Sequence, residues 1–320
     1  VRQHDFEDFD LFDDQPTRRQ ARSRRRGRFD EPEPTRSGRL TEAERVRLAK
    51  LRDDAYTENQ LPDGADRWST WDDAEHGPLP RPDWVVTELA AVDTDLGVLK
   101  TGKEADVHLL RRGLPGTPGT LLAAKRYRSD EHKLFHRDAG YLEGRRMRRS
   151  REMRAMTQRS AFGRNLIAEQ WAVAEFAALS RLWTLGAPVP YPVQRGGTEL
   201  LLEFLGEEDG TAAPRLAQVR PDAGELKDLW FQATAALELL ASEGLAHGDL
   251  SAYNLLVHRG RLMVIDLPQV VDVVANPAGV EFLARDVRNL AGWFHGRGLG
   301  EHVTNTGELL AELVSAAGLG

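Results

Sequence analysis

The sequence predicts an α+β protein of two lobes, a small strand-rich one over 84–202 and a reduced helical one over 206–320. Three observations lead to it. Segments with strand character come first and helical ones later, which is the α+β order. A single extended apolar segment, LLLEFLG at 200–206, joins the two runs. Dense apolar patterning begins only near Trp84, so residues 1–83 read as a largely extended or disordered region with one short helix.

The chain has 320 residues, room for two lobes after allowing for a tail. Its net charge of -7 gives no global case for nucleic-acid binding. The absence of cysteine removes thiol nucleophiles, cysteine-bound zinc and disulfides together. No apolar run reaches the roughly 18–20 residues that span a bilayer. VRQHDFEDFD lacks the apolar core of a secretory signal. The expectation is a soluble cytoplasmic protein with no membrane partner.

Taken in order, residues 1–38 carry acidic residues and phenylalanines, then a cluster of Arg18, Arg19, Arg22, Arg24, Arg25, Arg26 and Arg28. Too little apolar surface is present to offset the entropy of ordering. The arginines can meet RNA phosphates or neutralise the acidic stretch within the tail. Residues 41–54 have a helix signature, with Thr41 as N-cap and Glu44 at the capping-box position. Residues 60–83 read as an irregular lead-in, and strands follow over 97–111 and 120–127 around the loop LPGTPG. Residues 129–164 are highly charged and read as a long insertion. Helical spacing resumes over 167–185 and stops at Gly186. Residues 225–243 form an amphipathic helix with Gly244 as its stop. Strands near 255–257 and 262–265 and helices near 280–294 and 306–317 complete the chain.

The chemistry is concentrated in LAHGDLSAYNLLVHRGRLMVID at 245–266, which spaces Asp249, Asn254 and Asp266. A loop, a hairpin and a second loop bring three such side chains to one point. Phosphoryl transfer needs a carboxylate near the attacking group and oxygen ligands for the metal bridging the phosphates. Asp249 is the candidate base, and Asn254 and Asp266 are oxygen donors of the kind Mg2+ prefers. GVLKTGKE at 97–104 is not a P-loop, because Glu104 stands where a magnesium-binding hydroxyl belongs and a strand follows. It fits a strand–turn–strand lid in which Gly102 lets the backbone approach phosphates contacted by Thr101 and Lys103. Lys125 ends an apolar strand, and Glu175 shares a helix face with Trp171, Leu179 and Leu182. A carboxylate on such a face is costly without a partner. A Lys125–Glu175 pair that aims Lys125 at the phosphates accounts for both residues. Backbone groups of Glu203 and Leu205 are candidates for the adenine edge.

The His-Gly-Asp, Asn and Ile-Asp set also occurs in small-molecule kinases of the aminoglycoside phosphotransferase type, so it does not choose a substrate. Taken together, TGKEADV at 101–107, HGDLSAYN at 247–254, IDLPQ at 265–269 and EFLARD at 281–286 resemble the RIO family of atypical serine protein kinases. WAVAEFAAL and FHRDAGYLEGRR resemble that family's αC helix and flexible loop, and the likeness covers about 85–294. No winged-helix pattern precedes it, so the likeness is to the subfamily without that domain. The resemblance implies a protein-kinase-like fold, ATP with Mg2+ (or Mn2+) as cofactors, Lys125 on phosphates, and Asp249 as catalytic residue. It also implies Asn254 and Asp266 as metal ligands, with Asp266 a further candidate for an aspartyl-phosphate. Ala252 replaces the family's usual Glu, and Asn276-Pro277 stands where His-Pro is common. RRMRRSREMR in the insertion offers an RNA contact or an autophosphorylation segment with Ser150 and Ser160 as acceptors. A small-molecule phosphotransferase and an RNA- or ribosome-binding assembly factor with ATPase switching stay open as alternatives. The protein substrate is not named by the sequence.

Overall fold

The computed structural model describes residues 61–128, 161–268 and 270–320. The arginine-rich tail, the helix expected over 41–54, most of the charged insertion with Ser150 and Ser160, and Gln269 lie outside the described residues.

The strand-rich part is one antiparallel sheet. β1 (Arg67–Trp68), β2 (Glu75–His76), β3 (Val92–Thr101), β4 (Ala105–Gly113), β5 (Thr120–Tyr127), β6 (Pro192–Gly196) and β7 (Glu199–Glu203) lie in the order β1-β3-β4-β5-β7-β6-β2. The strand expected over 97–111 is two strands, because the chain reverses at 102–104, and the first begins at Val92. The lead-in joins the fold: β1 pairs with β3 and β2 with β6, at opposite edges of the sheet.

Strand alternation sorts the side chains between two faces. Leu122 and Ala124 of β5, Leu110 of β4 and Leu201 of β7 pack outward with Trp71, Tyr191 and Val193, against which Trp84 and Val85 lie. Residues 61–91 thus cover the outer face. Arg112, fully buried there, donates to both oxygens of Asp93 at 2.7 and 2.9 Å and to Gln194 at 2.5 Å. Ala123, Tyr127, Leu200 and Leu202 face the other way, toward α1 (Ala161–Thr184). This helix starts at Ala161, so the last residues of the expected insertion are helical. Gly186, at φ +78°, ends the turn that follows, a conformation glycine adopts without the Cβ clash.

The helical part is built on α2 (Ala223–Ser242), capped by Asp222, whose side chain accepts from Gly224 and Glu225 N–H, while Glu225 reaches back. Its apolar stripe of Leu226, Leu229, Trp230, Ala233, Leu237 and Leu240 is buried. Against it pack the hairpin β9 (Leu255–His258) and β10 (Arg261–Val264), the pair β8 (Leu245–Ala246) with β11 (Val271–Asp272), and α5 (Thr306–Ala316). α3 (Gly279–His295) and the single turn α4 (Glu301–Thr304) complete it. One continuous apolar core runs from the inner face of the sheet through α1 to α2, α3 and α5.

Candidate active site

Lys125 falls on the inner face of β5 by alternation, beside Ala123 and Tyr127. Facing it, α1 brings Glu175, flanked by buried Ala172, Phe176, Leu179 and Leu182 and itself 1% exposed. Lys125 Nζ donates to Glu175 Oε1 at 2.6 Å, the Tyr127 hydroxyl donates to Oε2, and Leu267 N–H donates to Oε1 at 3.1 Å. The buried carboxylate is therefore paired and hydrogen-bonded, as a buried charge requires. Lys125 Nζ also donates to Asp266 Oδ1 at 2.7 Å. Burial opposes the charge on Lys125, but Glu175 and Asp266 outweigh it and lift its pKa above the ordinary lysine value. Burial likewise works against ionised Asp266, yet Lys125 reverses the effect and brings that carboxyl down to about 2. Burial and the neighbouring Glu175 carboxylate push the Tyr127 phenol well up.

The nucleotide-loop candidates cap one wall. Thr101 ends β3, and Gly102 N–H closes the turn onto the Ala105 carbonyl at 3.0 Å. A Cβ on Gly102 would stand 2.7 Å from that same oxygen, so the turn admits only glycine without shifting. At the joint, Glu203 N–H donates to Tyr191 O at 2.8 Å and its side chain accepts from Tyr191 N–H at 2.9 Å. The Leu205 carbonyl accepts from Ala213 N–H at 2.9 Å.

The opposite wall is the segment after β8. Asp286 of α3, fully buried, accepts from Gly248 N–H and Leu250 N–H, each at 2.9 Å, on either side of Asp249. Burial holds its pKa up, with His247 pulling the other way. Asp249 N–H lies 3.4 Å from His247 Nδ1, and His247 Nε2 lies 3.1 Å from the Ile265 carbonyl oxygen. Asn254 Nδ2 donates to the Asp249 carbonyl at 3.0 Å, and Ile265 N–H donates to the Asn254 carbonyl at 3.0 Å. The hairpin between Asn254 and Asp266 turns at Arg259 (φ 53°) and Gly260 (φ 75°). Asp266 itself adopts φ 67°, a left-handed conformation that Asp and Asn tolerate better than most residues. Ala252 is buried, which suits a methyl and not a glutamate.

Thr101, Gly102, Lys103, Lys125, Glu175, Glu203, Leu205, Asp249, Asn254 and Asp266 all line a single cleft of about 1230 Å3. The sequence reading passed over the Lys125–Asp266 contact, the Tyr127 hydroxyl on Glu175, and the roles of His247 and Asp286 in holding the Asp249 segment. Asp286 carried a usable signal: it lies between Leu283, Val287 and Leu290 on an apolar helix face, the same anomaly that singled out Glu175. Among the described residues no helix is long and apolar enough to cross a membrane.

A family model described as the RIO domain matches residues 122–306. The RIO-type serine/threonine-protein kinase Rio1 of Haloferax volcanii is 33% identical over 262 residues, covering 80% of this chain and 82% of that one. Serine/threonine-protein kinase RIO3 of Bos taurus is 37% identical over 136 residues, covering 42% of this chain and 26% of that one. A crystal structure of the Rio2 kinase from Chaetomium thermophilum aligns with a TM-score of 0.48 at 21% identity, over 71% of this chain and 69% of that chain. The chain thus spans most of the archaeal relative and about a quarter of the mammalian one. With the domain model spanning more than half of it, this chain belongs to the RIO family of serine/threonine protein kinases.

Proposed function

We propose that this chain is an ATP- and Mg2+-dependent RIO-type serine protein kinase that also phosphorylates itself and hydrolyses ATP. The observation that carries the reading is the convergence of the Lys125–Glu175 pair, Asp249, Asn254 and Asp266 on one cleft. Glu175 holds Lys125 toward the nucleotide phosphates. Asp249, fixed by the amides on both sides of it, orients the acceptor hydroxyl and takes its proton. The adenine edge meets the Glu203 carbonyl and the Leu205 N–H, since the Glu203 N–H and the Leu205 carbonyl are already engaged.

The donor set fits magnesium. Asn254 and Asp266 both offer oxygen to the cleft, and Mg2+ is held by one or two protein oxygens together with phosphates and waters. Mn2+ can replace it at such a pair. When bound, the metal neutralises charge on the β- and γ-phosphates. Asp266 is in addition the acceptor for a transient aspartyl-phosphate: a carboxylate oxygen bonds to the γ-phosphorus as its bond to the ADP oxygen breaks. Water then cleaves the acyl phosphate, returning the carboxylate and inorganic phosphate. A ribosomal or RNA partner and a cytoplasmic location are part of this reading and rest on the sequence alone.

The test is transfer from γ-labelled ATP. Wild type should give acid-stable label on serine and a hydroxylamine-labile fraction that Asp266→Asn removes. Asp249→Asn should abolish transfer while ATP binding stays measurable. Wild-type turnover in that variant would sink the assignment.

A further inference from the structure

Besides Lys125, the cleft is lined by Lys100, Lys103, Arg128 and Arg215. Their environments differ. Lys125 gives two of its three N–H donors to Glu175 and Asp266, and Arg128 is paired with Asp106. Lys100 makes no hydrogen bond or ion pair with any described residue. Burial and the nearby Arg215 guanidinium both pull its pKa below the ordinary lysine value, while Asp266 works the other way. Two cations thus lie near each other, with the Asp266 and Glu104 carboxylates only partly offsetting the repulsion at Lys100.

The backbone takes care to put them there. Consecutive strand residues should face opposite ways, yet Leu99 and Lys100 both line the cleft. The register of β3 against β4 slips between Val98 and Lys100, and such a bulge re-aims the side chains beyond it. Arg215 comes from the other wall. Its backbone bridges Leu256 of β9, and its guanidinium donates to the Tyr253 carbonyl, next to Asn254. The pair therefore spans the cleft on the side of the Asp249–Asn254 segment, where the acceptor hydroxyl must arrive.

We propose that Lys100 and Arg215 form an anion subsite that takes an acidic side chain flanking the acceptor serine of the protein substrate. This rests on the kinase reading above and deepens it. The phosphates of the nucleotide already have Lys125 and a metal held by Asn254 and Asp266. An acidic residue brought between Lys100 and Arg215 would relieve their repulsion and set the register of the peptide at Asp249.

The experiment measures binding and transfer on the full chain. Three serine peptides, flanked by Glu, Ala or Lys, are titrated by fluorescence anisotropy with Mg2+ and a non-hydrolysable ATP analogue. The wild type should prefer the Glu peptide over the Ala peptide by about tenfold, the equivalent of roughly 1.4 kcal/mol. Lys100→Ala should bring the two near parity, Lys100→Glu should favour the Lys peptide, and Lys227→Ala, on α2, should keep the wild-type order. Lys100→Glu carries the test where Arg215→Ala loosens its own segment. Equal wild-type affinities overturn the proposal. So does loss of analogue affinity in Lys100→Ala with the peptide order intact, which would give the anion to the nucleotide. Failure of the kinase reading looks different: the Glu preference is present, but γ-labelled ATP gives no Asp249-dependent transfer.

Discussion

Glu175→Gln tests the central electrostatic arrangement. The wild-type carboxylate, 1% exposed, accepts from Lys125 Nζ at 2.6 Å, from the Tyr127 hydroxyl and from Leu267 N–H at 3.1 Å. The amide keeps one oxygen and turns an NH2 toward one of those donors, so at least one buried donor loses its partner. Removing one member of a buried ion pair typically destabilises by about 3–5 kcal/mol. Lys125 retains Asp266 at 2.7 Å, which reduces the expected loss to about 2–4 kcal/mol. With a urea m-value of about 2.5 kcal/mol per M, the unfolding midpoint falls by about 1 M. Nucleotide turnover should suffer more than stability, since misplacing a positioning group by about 1 Å can cost 10²-fold in rate. Urea unfolding followed by tryptophan fluorescence and kcat/KM for ATP give the two readouts. A variant within about 0.5 kcal/mol of wild type, the range of an ordinary surface change, and with unchanged kcat/KM would refute the reasoning.

Three further outcomes follow from the site. Asp266 has its carboxyl depressed to about 2. Its contribution is therefore fully present above the unfolded value of about 3.9 and is lost as pH falls through the folded one. The stability gap between wild type and Asp266→Asn should be flat from neutral pH to about pH 5 and close toward pH 2, as read by thermal unfolding across pH. Asp286→Ala strips the Gly248 and Leu250 amides of their acceptor. At about 1–3 kcal/mol for each unsatisfied buried group, it should lower both stability and kcat, with a smaller change in KM for ATP. Gly102→Ala places a methyl 2.7 Å from the Ala105 carbonyl oxygen. It should raise KM for ATP several-fold while moving the thermal midpoint by no more than a few degrees, since the strain sits in a surface turn.

The parts of the fold that sequence reading reached are those with local signals. α2 announces itself through a stripe continuous from Leu226 to Leu240 and through Gly244 at its end, and the hairpin of β9 and β10 through apolar runs on both sides of Arg259-Gly260. Lys125 and Glu175 were legible because each violates the pattern of its own element, and such a violation points to a partner. Long-range pairings left no local trace. Nothing in the composition of 61–91 says that Arg67 pairs with Asp93 and Trp71 buries against Tyr191. The bulge that aims Lys100 into the cleft depends on the register between β3 and β4 and not on either strand alone. The slot between Gly248 and Leu250 that Asp286 fills exists only after α3 docks. A start at Ala161 for α1 was hidden because Gly163 and Asn165, both weak helix formers, interrupt the pattern before Ile167.

The lead-in has one more consequence. β1 and β2 end the sheet with two residues each, β1 covering Val92 and Asp93 at the start of β3 and β2 covering Gln194 and Arg195 of β6. At those two places a strand from another molecule would find almost nothing to extend, and short edge strands are one way sheets avoid sticking to one another. A chain cut back to Trp84 would lose both terminal strands together with Trp71 from the outer face. It would bare the start of β3 and the edge of β6 beside an uncovered apolar surface around Tyr191 and Leu122. The lead-in thus acts as a sealing strip for the catalytic sheet, and a shortened protein should betray its absence by self-association before it shows any change in chemistry.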